Sequence, residues 1–345
     1  NLKAVLMRWF GFGFNAFGQI YVGGRVNDDD TANEVKVITP IELKGHVDGS
    51  CRTKISGLGA SWSRRATLHS NGERHTKYRH PLGRFGGLSQ HCKTLTETPL
   101  CGFPGTPPNL PLIPDGYIAL KPPFYRPLSP HLKATRLALG AEHSVLLSAS
   151  GTVYTWGLGS HGQLGHGGLL HEEQPRVVEA LWGMTMSCVA AGGWHTVCVS
   201  DAGDMYVWGW NESGQLGLPS HIFNIDGFVN CYVTDLSSYK EKPEGEKDKE
   251  VFISIQAFPA LLDVTPSCDI KMVGCGSRHT AAVTSAGDLY TWGWGQYGQL
   301  GYETPYSDEP RRVEFFREQQ MRVVDVTCGT WNTFAAVVKE EVAAS

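Results

Sequence analysis

No stretch of about 18 uninterrupted apolar residues occurs, so no membrane span is expected. The opening NLKAVLMRWFGFGF is broken by Lys3 and Arg8, and no small-residue cleavage site follows, so no signal peptide is expected. Met7 is read as a natural start. Excess positive charge is also missing: 30 Lys and Arg stand against 34 Asp and Glu, a net charge of −4. That excludes a global basic field for nucleic acid or anionic membrane, and direct nucleic acid binding is not expected. The nine cysteines, at 51, 92, 101, 188, 198, 231, 268, 275 and 328, form no CxxC pair. An odd count at irregular spacings supports neither a disulfide framework nor a zinc site and suits a reducing compartment. GxSxG, HExxH and P-loop signatures are absent, and no Ser/His/Asp set stands out. His161, His166 and His171 have no Cys or carboxylate to complete a tetrahedral set. GLGSHG at 157–162 leads into Gln-Leu-Gly with no helix to receive a pyrophosphate. No metal, cofactor or catalytic residue is expected.

What is abundant is glycine, 41 residues, together with 10 tryptophans. Both recur in register. Residues 140–165 read GAEHSVLLSASGTVYTWGLGSHGQLG, residues 192–217 read GGWHTVCVSDAGDMYVWGWNESGQLG, and residues 276–301 read GSRHTAAVTSAGDLYTWGWGQYGQLG. The shared positions are His143, His195 and His279, then Trp156-Gly157, Trp208-Gly209 and Trp292-Gly293, then Gly-Gln-Leu-Gly. The first two units start 52 residues apart and the next two 84 apart. The excess belongs to an insertion over 220–250 that contains KEKPEGEKDKE, a solvated loop by composition.

Within each unit apolar residues alternate at period two around a Ser-Gly or Ala-Gly turn, which predicts antiparallel strand–turn–strand. A repeat of about 50 residues with four short strands fits a propeller blade. The clear units span 137–165, 189–217 and 272–301. Residues 326–338, VTCGTWNTFAAVV, match the first half of a unit with Asn332 in the histidine place. Residues 9–19, WFGFGFNAFGQ, match the second half as WGxGxxGQ, with Phe10 interposed after Trp9. Residues 9–19 and 321–338 are therefore expected to share one blade that closes the ring and removes open edges. The remainder departs from the pattern. Residues 40–98 read as a degenerate blade, with GASWSRRATLHSNGE as its first half. Residues 99–130 hold ten of the 19 prolines and read as an extended excursion.

The pattern Gly-x-x-His-(Ser/Thr) … Tyr-x-Trp-Gly … Gly-Gln-Leu-Gly resembles the regulator-of-chromosome-condensation repeat. Tryptophan followed by glycine separates it from the Trp-Asp class, and the Gly-Gln-Leu-Gly ending from kelch repeats. The resemblance implies an all-β propeller, with residues 1–345 as one domain. WFGFGFNAFGQ, AAGGWHTVCVS and YVWGWNESGQL look similar to small nuclear members of this family. Such members are associated with a Jumonji-type, 2-oxoglutarate- and iron-dependent oxygenase, with histone H3 lysine methylation and with mitotic chromosome segregation. The resemblance thus implies a non-enzymatic nuclear adaptor that meets histone H3 indirectly. The alternative it carries is guanine-nucleotide exchange on a Ran-type GTPase, against which the missing basic tail argues.

A site recurring in every unit is a structural site. His143, His195 and His279 are expected to hydrogen-bond between strands and turns. Trp156, Trp208 and Trp292 are expected as wedges between blades, and Gly157, Gly209 and Gly293 as tight turns. For docking, the candidate is Pro123, Phe124, Tyr125, Arg126 and Pro127, a proline-rich run suited to polyproline II recognition.

Overall fold

The computed structural model describes residues 7–16, 19–20, 36–43, 47–48, 51–52, 55–60, 65–69, 74–77, 112–113, 116–118, 125–220 and 252–339. Four antiparallel sheets of four strands each organise it. Blade 1 runs Ala134–Leu139, His143–Ser148, Val153–Gly157 and Glu172–Val177. Blade 2 runs Met186–Ala191, His195–Ser200, Met205–Trp210 and Ile255–Leu262. Blade 3 runs Ile270–Cys275, His279–Thr284, Leu289–Trp294 and Tyr306–Arg312. A shared blade takes Met321–Cys328 and Asn332–Lys339 from the end of the chain and Arg8–Phe14 and Lys36–Glu42 from its beginning. Its two halves meet as a six-residue antiparallel register, from Arg8 opposite Val337 to Gly13 opposite Asn332. A three-stranded sheet, Ile55–Ala60, Arg65–His69 and Arg74–Lys77, packs its first strand on that of the shared blade. The architecture is that of a β-propeller.

The register corrects the reading of the N-terminus. Gly13 faces Asn332 as Gly209 faces His195, so Phe12, not Trp9, takes the place of Trp208. Phe10 is not interposed; Trp9 stands where Met205 stands, and no residue is inserted. Gly13, Gly157, Gly209 and Gly293 all have φ between +98° and +111°. A side chain at any of them would also press on the main-chain oxygen of the residue before the histidine or Asn332.

The fourth strands carry a signal that the pattern search passed over. Pro40, Pro175, Pro259 and Pro310 sit at one equivalent place, beside the bulge that separates each fourth strand from its third. Only an outer strand has a face free of ladder bonds, so only there is a missing N–H harmless. Residues 40–42, expected in the degenerate region, therefore lie in the shared blade. The insertion at 221–251 lies outside the described residues, between the third and fourth strands of blade 2.

The second strands of blades 1, 2 and 3 are buried at every residue, whereas the fourth strand of blade 1 has no buried residue. The apolar core is thus divided into wedges between neighbouring blades. Trp208 and Trp292 are fully buried in such wedges, as is Phe12, and Trp208 donates to the Gln163 carbonyl at 2.9 Å. Losing Trp208 to alanine is worth about 3–5 kcal/mol.

Polar bonds join the same wedges. Thr196, Thr280 and Thr333 donate their hydroxyls to the Gln163, Gln215 and Gln299 carbonyls at 2.9, 2.7 and 2.8 Å. Each hydroxyl oxygen then accepts from the histidine of the preceding blade: His143 to Thr196 at 2.9 Å, His195 to Thr280 at 2.9 Å, His279 to Thr333 at 3.0 Å. This network assigns the Nε2–H tautomer. Each imidazole lies against a glycine, Gly140, Gly192 or Gly276, where a Cβ would clash with the ring at Cε1 and Nδ1. A backbone bond per junction completes the seam: Ala141 N–H to Gly193 O, Gly193 N–H to Ser277 O, Ser277 N–H to Thr330 O.

Burial holds these imidazoles neutral. His143 is pushed down to about 4 and His195 and His279 to about 3, the neighbouring histidines adding to burial for His195. The unfolded chain takes up these protons below about pH 6.5 and the folded chain does not. The histidine contribution to stability is therefore level above pH 6.5 and falls as pH drops toward 4, by roughly 1.4 kcal/mol per pH unit for each histidine. In urea unfolding across that range H195Q should lower the slope of stability against pH by about 1.4 kcal/mol per pH unit relative to the parent chain.

Candidate functional site

The residues singled out by the repeat are interior. His143, His195 and His279 are buried and bonded within the seams, and Trp208 and Trp292 have no exposed surface. They position the site and do not form it. Tyr125, Arg126 and Pro127 are a short β-strand paired antiparallel with Gly116–Ile118, not polyproline II; Pro123 and Phe124 lie outside the described residues. The pairing leaves proline at an outer strand, where its missing N–H costs nothing. Tyr125, 46% exposed, and Arg126 form one wall of a cleft of about 1200 Å³ whose other wall is blade 1, from Gly140 to Ser144 and His171 to Pro175.

A second space lies on the axis. First strands of blades 1, 2 and 3, of the shared blade and of the three-stranded sheet line one cavity of about 160 Å³. Register puts Arg136, Cys188, Met272 and Asp325 at one level of it, each just past the first-strand bulge. Arg136 donates to the Cys188 sulfur at 2.8 Å. Asp325 is buried; its Oδ1 accepts from the Val326 N–H at 2.8 Å, while Oδ2 has no partner among the described residues. Burial lifts its carboxyl to about 6, against the pull of the Val326 N–H and of Arg136. Among the described residues no group of three or more His, Cys, Asp or Glu could hold a metal ion.

The third feature is a face. Turns between first and second strands and loops after third strands open on the same side of every blade. There the residue before the histidine stacks on the residue after the Trp-Gly of the preceding blade. Arg278 lies over Trp210 at 4.6 Å, and Trp331 meets Trp294 edge-on at 4.6 Å. The loop residue three further along joins in: His161 contacts Trp194 and Trp210 at 5.9 and 5.5 Å, and Tyr297 contacts Phe14 at 5.0 Å. Trp194 also donates to Glu142 at 3.1 Å. The result is a half-exposed aromatic belt across three blade junctions, made of two clusters, His161, Trp194 and Trp210 with Arg278, and Phe14, Trp294, Tyr297 and Trp331. The sequence search read past it because its members flank the repeated residues and differ from unit to unit: Glu142, Trp194, Arg278 and Trp331 at one place, Leu158, Trp210, Trp294 and Phe14 at the other.

Asp325 yields a test of the shaft. Its folded value stands above the unfolded one near 3.8, so the folded state holds this proton longer, and stability is lost as pH rises through about 6. D325N should stabilise the protein at pH 8 by about 1–3 kcal/mol, with the gain building up between about pH 3.8 and 6 and little effect below about pH 3.8, read by urea unfolding at each pH.

The regulator of chromosome condensation (RCC1) repeat model matches residues 150–199, 202–283 and 286–336, and a second model of the same repeat matches 134–163, 187–215 and 270–299. The chain is 42% identical over 384 residues to human RCC1 domain-containing protein 1, covering 96% of this chain and 97% of that protein. It is 51% identical over 239 residues to the mouse protein of that name, covering 67% of this chain and 63% of that one. Among solved structures it resembles the yeast RCC1 (Prp20) crystal structure with bound Kap60, with a TM-score of 0.50, 20% identity, and 92% of this chain and 61% of that one covered. With the model matching more than half of the chain and the human relative aligned nearly end to end, this protein belongs to the regulator of chromosome condensation (RCC1) repeat family.

Proposed function

We propose that this protein is a non-enzymatic nuclear adaptor, associated with chromosomes, that binds a Jumonji-type 2-oxoglutarate oxygenase. In this role it supports control of histone H3 methylation and chromosome segregation in mitosis. The observation that carries the adaptor reading is the division of labour in the fold. Histidines that could do acid–base work are buried, neutral and bonded in the seams, while tryptophans stand half-exposed on one face. Half-exposed aromatic side chains are the groups that anchor protein interfaces.

The partner's identity rests on the resemblance to small nuclear members of the family, and the iron of the reaction belongs to that partner. Histone H3 is reached through the partner rather than directly. The strand Tyr125–Pro127, at the mouth of the large cleft, is the segment proposed to dock or to be presented to the oxygenase.

The purified chain should recover a Jumonji-type oxygenase from nuclear extract, identified by mass spectrometry, without a Ran-type GTPase. Recovery of the GTPase, with accelerated nucleotide release, would instead establish the exchange-factor alternative. Deleting residues 103–130 should abolish oxygenase capture; undiminished capture would move docking away from that segment.

A further inference from the structure

The aromatic belt is not electrically neutral. Glu142, Glu172, Glu173, Glu212, Glu303 and Asp308 stand on its side of the propeller, with Lys36, Arg126, Arg176 and Arg278 as cations there. Glu172 is paired with Arg176 at 2.6 Å, and Glu142 is held by Trp194; Glu212 and Glu303 are exposed and have no hydrogen-bond or ion-pair partner among the described residues. The opposite face is also acidic, with Asp201, Asp204, Asp263, Asp269, Asp288, Glu314 and Glu318 beside Lys133, Arg317 and Arg322, but no comparable belt lies there among the described residues, so the rings and not the net charge set the first face apart.

The repeat also displays what the belt can hold. Between blades 2 and 3 a guanidinium, Arg278, covers Trp210 at 4.6 Å. Between blade 3 and the shared blade the equivalent place is taken by Trp331, and Tyr297 and Phe14 extend the aromatic surface beside it. Among the described residues no cation lies over the rings of Trp294, Tyr297 and Trp331. A ring face with carboxylates nearby attracts a guanidinium through its quadrupole and the surrounding field, and an ammonium less well because it cannot stack.

We propose that this face binds an arginine-bearing segment of a protein partner, laid along the belt with a guanidinium over the Trp294–Tyr297–Trp331 surface and its neighbours near Glu212 and Glu303. The assignment rests on the adaptor reading and names the chemistry of the partner at that face. Arginine binds there by stacking and by charge together, so neither a lysine nor a neutral isostere replaces it fully.

The probe is a short acetylated Gly-Arg repeat peptide, compared with its lysine and citrulline counterparts. Binding to the full chain is read by tryptophan fluorescence and calorimetry at low salt. The arginine peptide should bind about tenfold or more tightly than the citrulline peptide, with lysine between. Y297L, which keeps bulk and removes the ring, should weaken the arginine peptide about three- to tenfold. E212Q with E303Q should weaken it several-fold, whereas D201N with D263N, the same charge removed from the opposite face, should leave it unchanged. Unfolding midpoints of all variants are measured alongside, and Tyr297, Glu212 and Glu303 are not core residues. Equal binding of arginine and citrulline, or equal losses from the two faces, overturns the proposal. A nuclear partner retained by the Y297L, E212Q, E303Q variant overturns this placement and leaves the adaptor reading standing. Failure to capture any partner defeats the adaptor reading, and the peptide titration then still decides for or against the arginine site.

Discussion

Each seam of this propeller turns on one shared hydroxyl. A threonine on the second strand donates to the carbonyl of the preceding blade's glutamine and accepts from that blade's histidine, so one oxygen joins two blades through two bonds. The constraint propagates outward. The imidazole must be neutral to be buried, it needs a glycine beside its Cε1 and Nδ1 to reach the hydroxyl, and the tryptophan beside it closes the wedge from water. Breaking one member leaves the others buried without partners, which costs more than the bond itself contributes. That coupling is why histidine, glycine, threonine and tryptophan recur together.

The same logic explains what could be read from the chain alone. The first three strands of blades 1, 2 and 3 were legible because their seams demand fixed residues at fixed spacing. Fourth strands carry no seam, so their lengths of connection vary widely, and only Pro40, Pro175, Pro259 and Pro310 mark them. The N-terminal half-blade was legible as a half-blade but misregistered by three residues. Its tryptophan, Trp9, is a core residue of another layer, and the wedge position is filled by Phe12. Glycine at position 13, forced by its φ of +111°, was the better anchor than the aromatic.

The candidate site was less legible than the fold, for a physical reason. A belt residue gains its meaning from a neighbour on the next blade: Arg278 is an ordinary turn residue until Trp210 lies beneath it. Such pairs are distant in the chain, 68 residues for Arg278 and Trp210 and 37 for Trp331 and Trp294, and their positions are free to vary because no seam depends on them. The interior repeats because packing repeats; the face differs from blade to blade because recognition needs a particular arrangement. Likewise Asp325 reads as one acidic residue in a strand until five first strands place it on the axis opposite Arg136.

One junction departs from the rule, and its departure is internally consistent. On the shared blade Asn332 stands in the histidine place, and its amide donates to the Phe14 carbonyl at 3.3 Å within its own sheet. On the neighbouring three-stranded sheet, register puts Arg65 where threonine stands elsewhere: Ala60 opposes Arg65 as Ala191 opposes Thr196. With no histidine to donate, a hydroxyl there would lose half of its purpose. Arg65 instead reaches the Ile20 carbonyl at 3.4 Å, the residue just past Gln19, as a donor only. Burial draws its guanidinium down to about 10, so it pays a desolvation cost that the threonines do not. The seam is thus rebuilt with a long donor in place of a shared hydroxyl. Replacement of both partners together is the outcome expected when the geometry of a junction, rather than the identity of either residue, is what the fold requires.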